Sequence, residues 1–104
     1  MMRTYEDLGS KLKAIVGESR MVKFQPGPSV KLTYPCVLYE LSNVSTIRAD
    51  DKSYLNCRRY QVTHIYKSVD GDLIDKFLEN FEYISYDNRQ IVDGLYHDYF
   101  TIYY

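Results

Sequence analysis

The chain has 104 residues and a mass of 12.3 kDa, the size of one domain with one modest core. Apolar residues make up 45% and charged residues 26%, and the net charge is −1. This excludes a basic coat for nucleic acid, a disordered coil and, with no run of about 18 apolar residues, a membrane span.

In chain order, the spacing of Tyr5, Leu8, Leu12 and Ile15 predicts an amphipathic helix over Tyr5–Val16. Thr4 is its expected N-cap, with Asp7 three residues on, and Gly17 suits the left-handed position that ends it. Arg20–Phe24 reads as a short strand. Gln25-Pro26-Gly27-Pro28-Ser29 then breaks regular structure.

Pro35 opens a strand over Cys36–Leu41, with Val37, Tyr39 and Leu41 on one face. Ser42-Asn43 is a turn or bulge, and Val44–Ala49 continues the strand. Asp50-Asp51-Lys52 is expected to be the polar tip of a hairpin. The return strand runs over Tyr54–Lys67, with Tyr60, Val62, His64 and Tyr66 alternating against Gln61, Thr63, Ile65 and Lys67. A long two-stranded arm results.

A second helix follows, capped by Asp70 or Asp72, with Leu73, Ile74, Phe77, Leu78 and Phe81 as its apolar stripe. Tyr83–Tyr86 reads as a strand and Asp87-Asn88-Arg89-Gln90 as a turn. Leu95–Tyr104 is the last strand, alternating throughout. The order α-β-β-β-α-β-β implies an α+β fold. Its expected form is an antiparallel sheet with a long β-hairpin and both helices packed on one face.

The residues that could carry chemistry are few. Cys36, Cys57, His64 and His97 are the whole Cys/His supply, and none is spaced as a metal site or a Cys/His nucleophile pair. Both cysteines are too few for a disulfide scaffold and are expected as reduced, buried thiols of a cytoplasmic chain. Each histidine is expected as a half-buried strand residue. Glu6-Asp7, Asp50-Asp51 and Asp70/Asp72 are accounted for by a helix's first turn, a turn tip and a cap. No GxSxG, GxxxxGK or GxGxxG run occurs. The expectation is therefore no enzyme, no catalytic residue, no metal and no cofactor.

Charge is unevenly spread. Residues 1–59 hold ten Lys/Arg and six Asp/Glu, a balance of +4; residues 60–104 hold three and eight, a balance of −5. Opposite charge on different surfaces suits head-to-tail contact between copies. Arg58, Arg59 and Tyr60 set two cations beside an aromatic. The aromatics of the last strand lie among Asp87, Asp93 and Asp98, which would repel phosphate, so a nucleic-acid platform is the weaker reading.

Twelve tyrosines are more than a small core needs. Tyr96, Tyr99, Phe100, Tyr103 and Tyr104 fall on both faces of one strand. One face is expected to pack the helices and the other to be covered by another chain.

The segment YPCVLYELSNVSTIRADDKSYLNCRRYQVTHIYK resembles the small tail-completion (tail terminator, or head–tail joining) proteins of long-tailed bacteriophages. Their pattern is an amphipathic helix, a strand close to "PYIVY", a "YADN"-like tip, a long "YxVxLYxK" strand, an acidic-apolar helix and a final aromatic strand. The matching pieces here are Tyr34–Leu41, Arg48–Lys52, Tyr60–Lys67, Asp70–Phe81 and Leu95–Tyr104. Cys36 departs from the pattern, where the family usually has an aromatic or a second proline.

The resemblance implies a structural virion protein at the head–tail junction. It would form a hexameric ring that caps the head-proximal end of the tail tube, ends tube polymerisation and docks the head connector. The implied partners are other copies, the major tail tube protein and the connector or stopper. DNA would pass through without sequence-specific binding, and no membrane is involved. Under this reading Arg48, Asp50, Asp51 and Lys52 at the tip, with Tyr99, Tyr103 and Tyr104, are the interface candidates. Arg58 and Arg59 are the candidates for facing passing DNA. The alternatives are a neighbouring head-completion or stopper protein and, from another class, a small nucleic-acid-binding module.

Overall fold

A computed structural model describes residues 5–17, 20–48 and 54–104, with the backbone alone over 43–48 and 54–57. Helix α1 spans Tyr5–Val16, and Gly17 follows at φ 86°, as its lack of a Cβ allows. Strand β1 is Met21–Phe24, β2 is Cys36–Arg48 and β3 is Tyr54–Tyr66. A 3-10 turn at Val69–Gly71 leads into α2, Ile74–Asn80. Strands β4, Ile84–Val92, and β5, Leu95–Tyr103, complete the chain. The fold is α+β, in the order α-β-β-β-α-β-β.

All five strands form one sheet, in the order β1-β2-β3-β5-β4. β2, β3, β5 and β4 pair antiparallel, as the alternating patterns imply. β1 instead lies parallel to β2, Met21 opposite Cys36, so the sheet is mixed at that edge. The reason lies in residues 25–35. Pro26, Pro28 and Pro35 forbid a tight hairpin, and the longer loop carries the chain back to start β2 beside the start of β1.

Register places directly opposite residues on one face. Tyr39, Val62, Phe100 and Tyr86 form one row across β2, β3, β5 and β4; Leu41, Tyr60, Ile102 and Ile84 form the next. These rows meet Leu8, Leu12, Ile15 and Val16 of α1 and Phe77 and Phe81 in a single core. Both helices therefore cover the same face. Burying these side chains contributes about 1.5–3 kcal/mol each. Leu78, expected in the α2 stripe, is instead 40% exposed, because α2 is only two turns long and turns Phe77 inward.

Two local rules set the packing of α1. Tyr39 donates its hydroxyl to the Tyr5 carbonyl at 2.8 Å. A Cβ on Gly9 would collide with that hydroxyl, so the helix passes over Tyr39 only where glycine stands. Phe24 stacks on Tyr5 at 4.2 Å between ring centroids, tying β1 to the start of the helix.

The hairpin tightens into an arm at a bulge. Pairing shifts between Leu41 and Asn43, leaving Ser42 as the extra residue. Its hydroxyl donates to the Arg59 carbonyl at 2.9 Å and accepts from Arg59 Nε at 3.1 Å. Beyond the Val44–Arg58 rung, Ser45–Arg48 pairs with Tyr54–Cys57 and no third strand accompanies them among the described residues. Asp50, Asp51 and Lys52, the expected tip, lie outside the described residues.

The expected turn at Asp87–Gln90 is strand. β4 continues through it with a bulge at Asp87, and the reversal falls at Asp93-Gly94. Those residues have φ 52° and 76°, the geometry of a two-residue hairpin turn, for which Asp-Gly is well suited. The composition of Asp87–Gln90 is loop-like because β4 is an edge strand whose side chains mostly meet water.

Candidate functional site

The row beside the apolar core is polar. Register sets His64 opposite Asp98, and Asp98 opposite Arg89, on the helix-covered face. Tyr66 lies two residues along β3 and Tyr86 lies across the bulge on β4, so five polar side chains converge beneath the 3-10 turn and α2.

Asp98 is fully buried. It accepts hydrogen bonds from Tyr66 Oη at 2.6 Å, Tyr86 Oη at 3.1 Å and Arg89 Nε at 2.7 Å. Burial on its own would raise its pKa. The donors and the guanidinium charge outweigh that and hold the carboxyl below its ordinary value. Burial and the bond to Asp98 push the Tyr66 phenol up. Arg89 also reaches Asp72 Oδ2 at 3.6 Å, while Asp72 Oδ1 accepts from the Ile74 amide at 3.2 Å. The network thus fastens the start of α2 to the edge strand.

His64 is fully buried rather than half-buried, because α2 lays Phe77 over it and Tyr66 stacks against it at 4.6 Å. Its Nε2 accepts from Arg20 Nε at 3.3 Å, and Arg20 Nη2 donates to the Gly71 carbonyl at 3.4 Å. The accepting Nε2 leaves the hydrogen on Nδ1, which has no partner among the described residues. Burial first, and the Arg20 charge second, bring the His64 pKa down to about 4. Chemically the cluster is a lock: Asp98 is saturated by donors, and His64 has no open side for a substrate.

The sequence offered one signal for this network. Tyr96, Asp98, Phe100, Ile102 and Tyr104 share a face, and a carboxylate among aromatics on an apolar face must find partners. Which partners was a matter of register between β3, β5 and β4, which no local pattern reveals.

The interface candidates separate. Arg48 pairs with Tyr54 at the outer end of the described arm. Tyr104 packs its ring near Phe81, at 6.3 Å between centroids, and its amide donates to the Arg58 carbonyl at 3.0 Å, so it closes the core. Tyr103 points to the opposite face, which no described helix covers although Cys36 and Ile65 are buried at its far end, and is 44% exposed. Tyr99 shares that face, half-buried, with its hydroxyl donating to Gln90 at 3.1 Å. Of the five aromatics crowding β5, Tyr96, Phe100 and Tyr104 serve the helix-covered side, and Tyr96 stacks on Tyr66 at 5.4 Å.

Arg58 and Arg59 alternate across the pleat. Arg58 lies on the side of Tyr60, and Arg59 lies on the uncovered side, opposite Tyr103. That face is mixed in character: Arg59 and the exposed Lys23 stand against Glu40 and Asp87, whose carboxylate accepts from the Ser85 and Thr101 hydroxyls. A shallow cavity of about 280 Å³ opens there beside Pro26, lined by Leu38, Glu40, Gln61 and Thr63.

Cys36 is buried, and burial pushes its thiol up to about 11. It pairs with Ile65, whereas Cys57 pairs with Ser45, so the two cysteines lie about 30 Å apart along the ladder. His97 is half-buried, with Nδ1 3.1 Å from the Leu95 carbonyl. Among the described residues no group of three His, Cys, Asp or Glu side chains could hold a metal ion. No described helix is long and apolar enough to cross a membrane.

The chain matches no protein-family model, no curated protein and no solved structure.

Proposed function

We propose that this chain is a non-catalytic structural subunit of a phage particle. In this reading copies form a ring on the head-proximal end of the tail tube, stop its growth and present the docking surface for the head connector. The observation that carries it is the arm: a two-stranded ladder projecting from a five-stranded sheet, in the element order that the tail-terminator resemblance implies. A subunit with no need to contact others has little use for such an arm, because an isolated hairpin is marginal in water.

Three further features support it. His64 and Asp98 are locked inside the fold. Charge is split between the two halves of the chain, as head-to-tail contacts favour. The sheet face away from the helices balances Arg59 and Lys23 against Glu40 and Asp87, which suits DNA passing by more than DNA held.

Electron microscopy of particles assembled without this chain tests the proposal. Overlong or unjoined tails are expected. Tails of normal length beside heads that leak their DNA would instead identify a stopper protein and overturn it.

A further inference from the structure

The 3-10 turn at Val69–Gly71 is fastened to the sheet by side chains rather than by core. None of its three residues is buried. Its own backbone bond runs from the Gly71 amide to the Ser68 carbonyl at 2.8 Å, and one such turn does not persist unsupported. Among the described residues two arginines hold it down. From β4, Arg89 reaches Asp72 at 3.6 Å. From the segment before β1, Arg20 donates to the Gly71 carbonyl at 3.4 Å.

Arg20 in turn depends on His64. Its Nε donates to His64 Nε2 at 3.3 Å, which requires that nitrogen to carry no hydrogen. A proton placed there sets N–H against N–H and cation against cation, and the bond is lost. Lys13 donates to the Arg20 carbonyl at 2.7 Å, so it is the guanidinium rather than the backbone that moves. The buried Nδ1–H of His64, without a partner among the described residues, gains one from water once the turn lifts, which favours opening.

The surroundings of His64 make this response specific. Asp98 on β5 is held below its ordinary value and stays ionised as acid is added, with Arg89 bound to it. Tyr66 on β3, pushed up, stays a donor. Asp98 and Asp72 favour a proton on His64, but burial and the Arg20 charge outweigh them. Val37, opposite on β2, and Phe77 of α2 carry no charge.

We propose that the turn at Val69–Gly71 is a latch that Arg20 holds shut on neutral His64, and that a proton on His64 releases it. Above pH 6.5 the latch is shut. As pH falls the opened form takes the proton first, because only there does His64 regain its ordinary 6.5 in place of about 4. One proton taken up on opening raises the open fraction about twentyfold between pH 7 and pH 5. The device belongs to the single chain and stands apart from any association of copies.

Hydrogen exchange of the Gly71 and Ile74 amides, divided by their intrinsic rates, tests it. Both amides bond locally, to Ser68 and to the Asp72 side chain. Their opening should rise about twentyfold from pH 7 to pH 5 and should ignore low urea, because little surface is exposed. The amide of Val62 in the central strand, released only with the whole fold, should respond to urea. His64→Phe should reduce the rise to less than about threefold. Arg20→Gln should open the turn about threefold or more at pH 7 and let His64 titrate closer to 6.5. Ring-nitrogen NMR of His64 in the unmodified chain gives the same test without a substitution: the protonated form must grow in step with opening at Gly71. A wild-type ratio near one overturns the inference. So does an equal rise in His64→Phe, or turn amides that exchange only together with Val62.

Discussion

His64 and Asp98 sit in one row of the sheet yet answer acid differently. The folded His64 pKa of about 4 lies below the ordinary 6.5, so the unfolded chain takes up the proton first. Stability is full above pH 6.5 and falls as pH drops toward 4, by roughly 3 kcal/mol for a shift of that size. Asp98, held below its ordinary value of 3.8, adds a second loss as pH falls further through its folded pKa. Urea denaturation across pH 4–7 should show the first slope in the wild type. His64→Phe, which keeps the stack on Tyr66 and the contact with Phe77, should flatten it. At Gly9, alanine should cost about 1–3 kcal/mol, because the added Cβ meets the Tyr39 hydroxyl. The same substitution in a Tyr39→Phe background should cost clearly less, which a double-mutant cycle measures. Gly9 carried no sign of this in sequence: a glycine inside a helical stripe reads as a weak spot until the strand beneath it is known.

Among the elements, α1 and β5 were legible because one face of each is buried throughout, so the period of the apolar residues follows the geometry. β4 was not. It is an edge strand with a bulge, most of its side chains meet water, and the polar run Asp87-Asn88-Arg89-Gln90 reads as a turn by composition although the reversal falls at Asp93-Gly94. The parallel seat of β1 was equally hidden, since four residues flanked by prolines do not encode their partner. Of the candidate site, residue types at the arm and on β5 were visible in sequence, whereas the division of labour within β5 needed the pleat and the helices. That division yields a prediction. Tyr104→Ala should cost about 1–2 kcal/mol of monomer stability, because its ring packs near Phe81 and beneath the Lys11 ammonium. Tyr103→Ser should change stability by no more than about 0.5 kcal/mol and should weaken association instead. Thermal melts beside analytical ultracentrifugation separate the two.

The whole molecule measures 51 × 29 × 23 Å, long for its chain because β2 and β3 outrun the strands beside them. Its polar lock fastens α2 to the sheet at one end, and the arm projects from the other, past the Ser42 bulge. A rigid body with a projecting strand pair is suited to joining copies, and charge at the arm is expected to set that joining. Lys52→Glu should impair assembly and leave the melting temperature of the isolated chain unchanged. Binding of the purified, gold-labelled chain to isolated tail tubes, seen by electron microscopy, tests the proposed role most directly. Label at one end of each tube, with growth from that end halted, is the predicted result. Label along the tube walls, or no label while tubes keep lengthening in its presence, would contradict it.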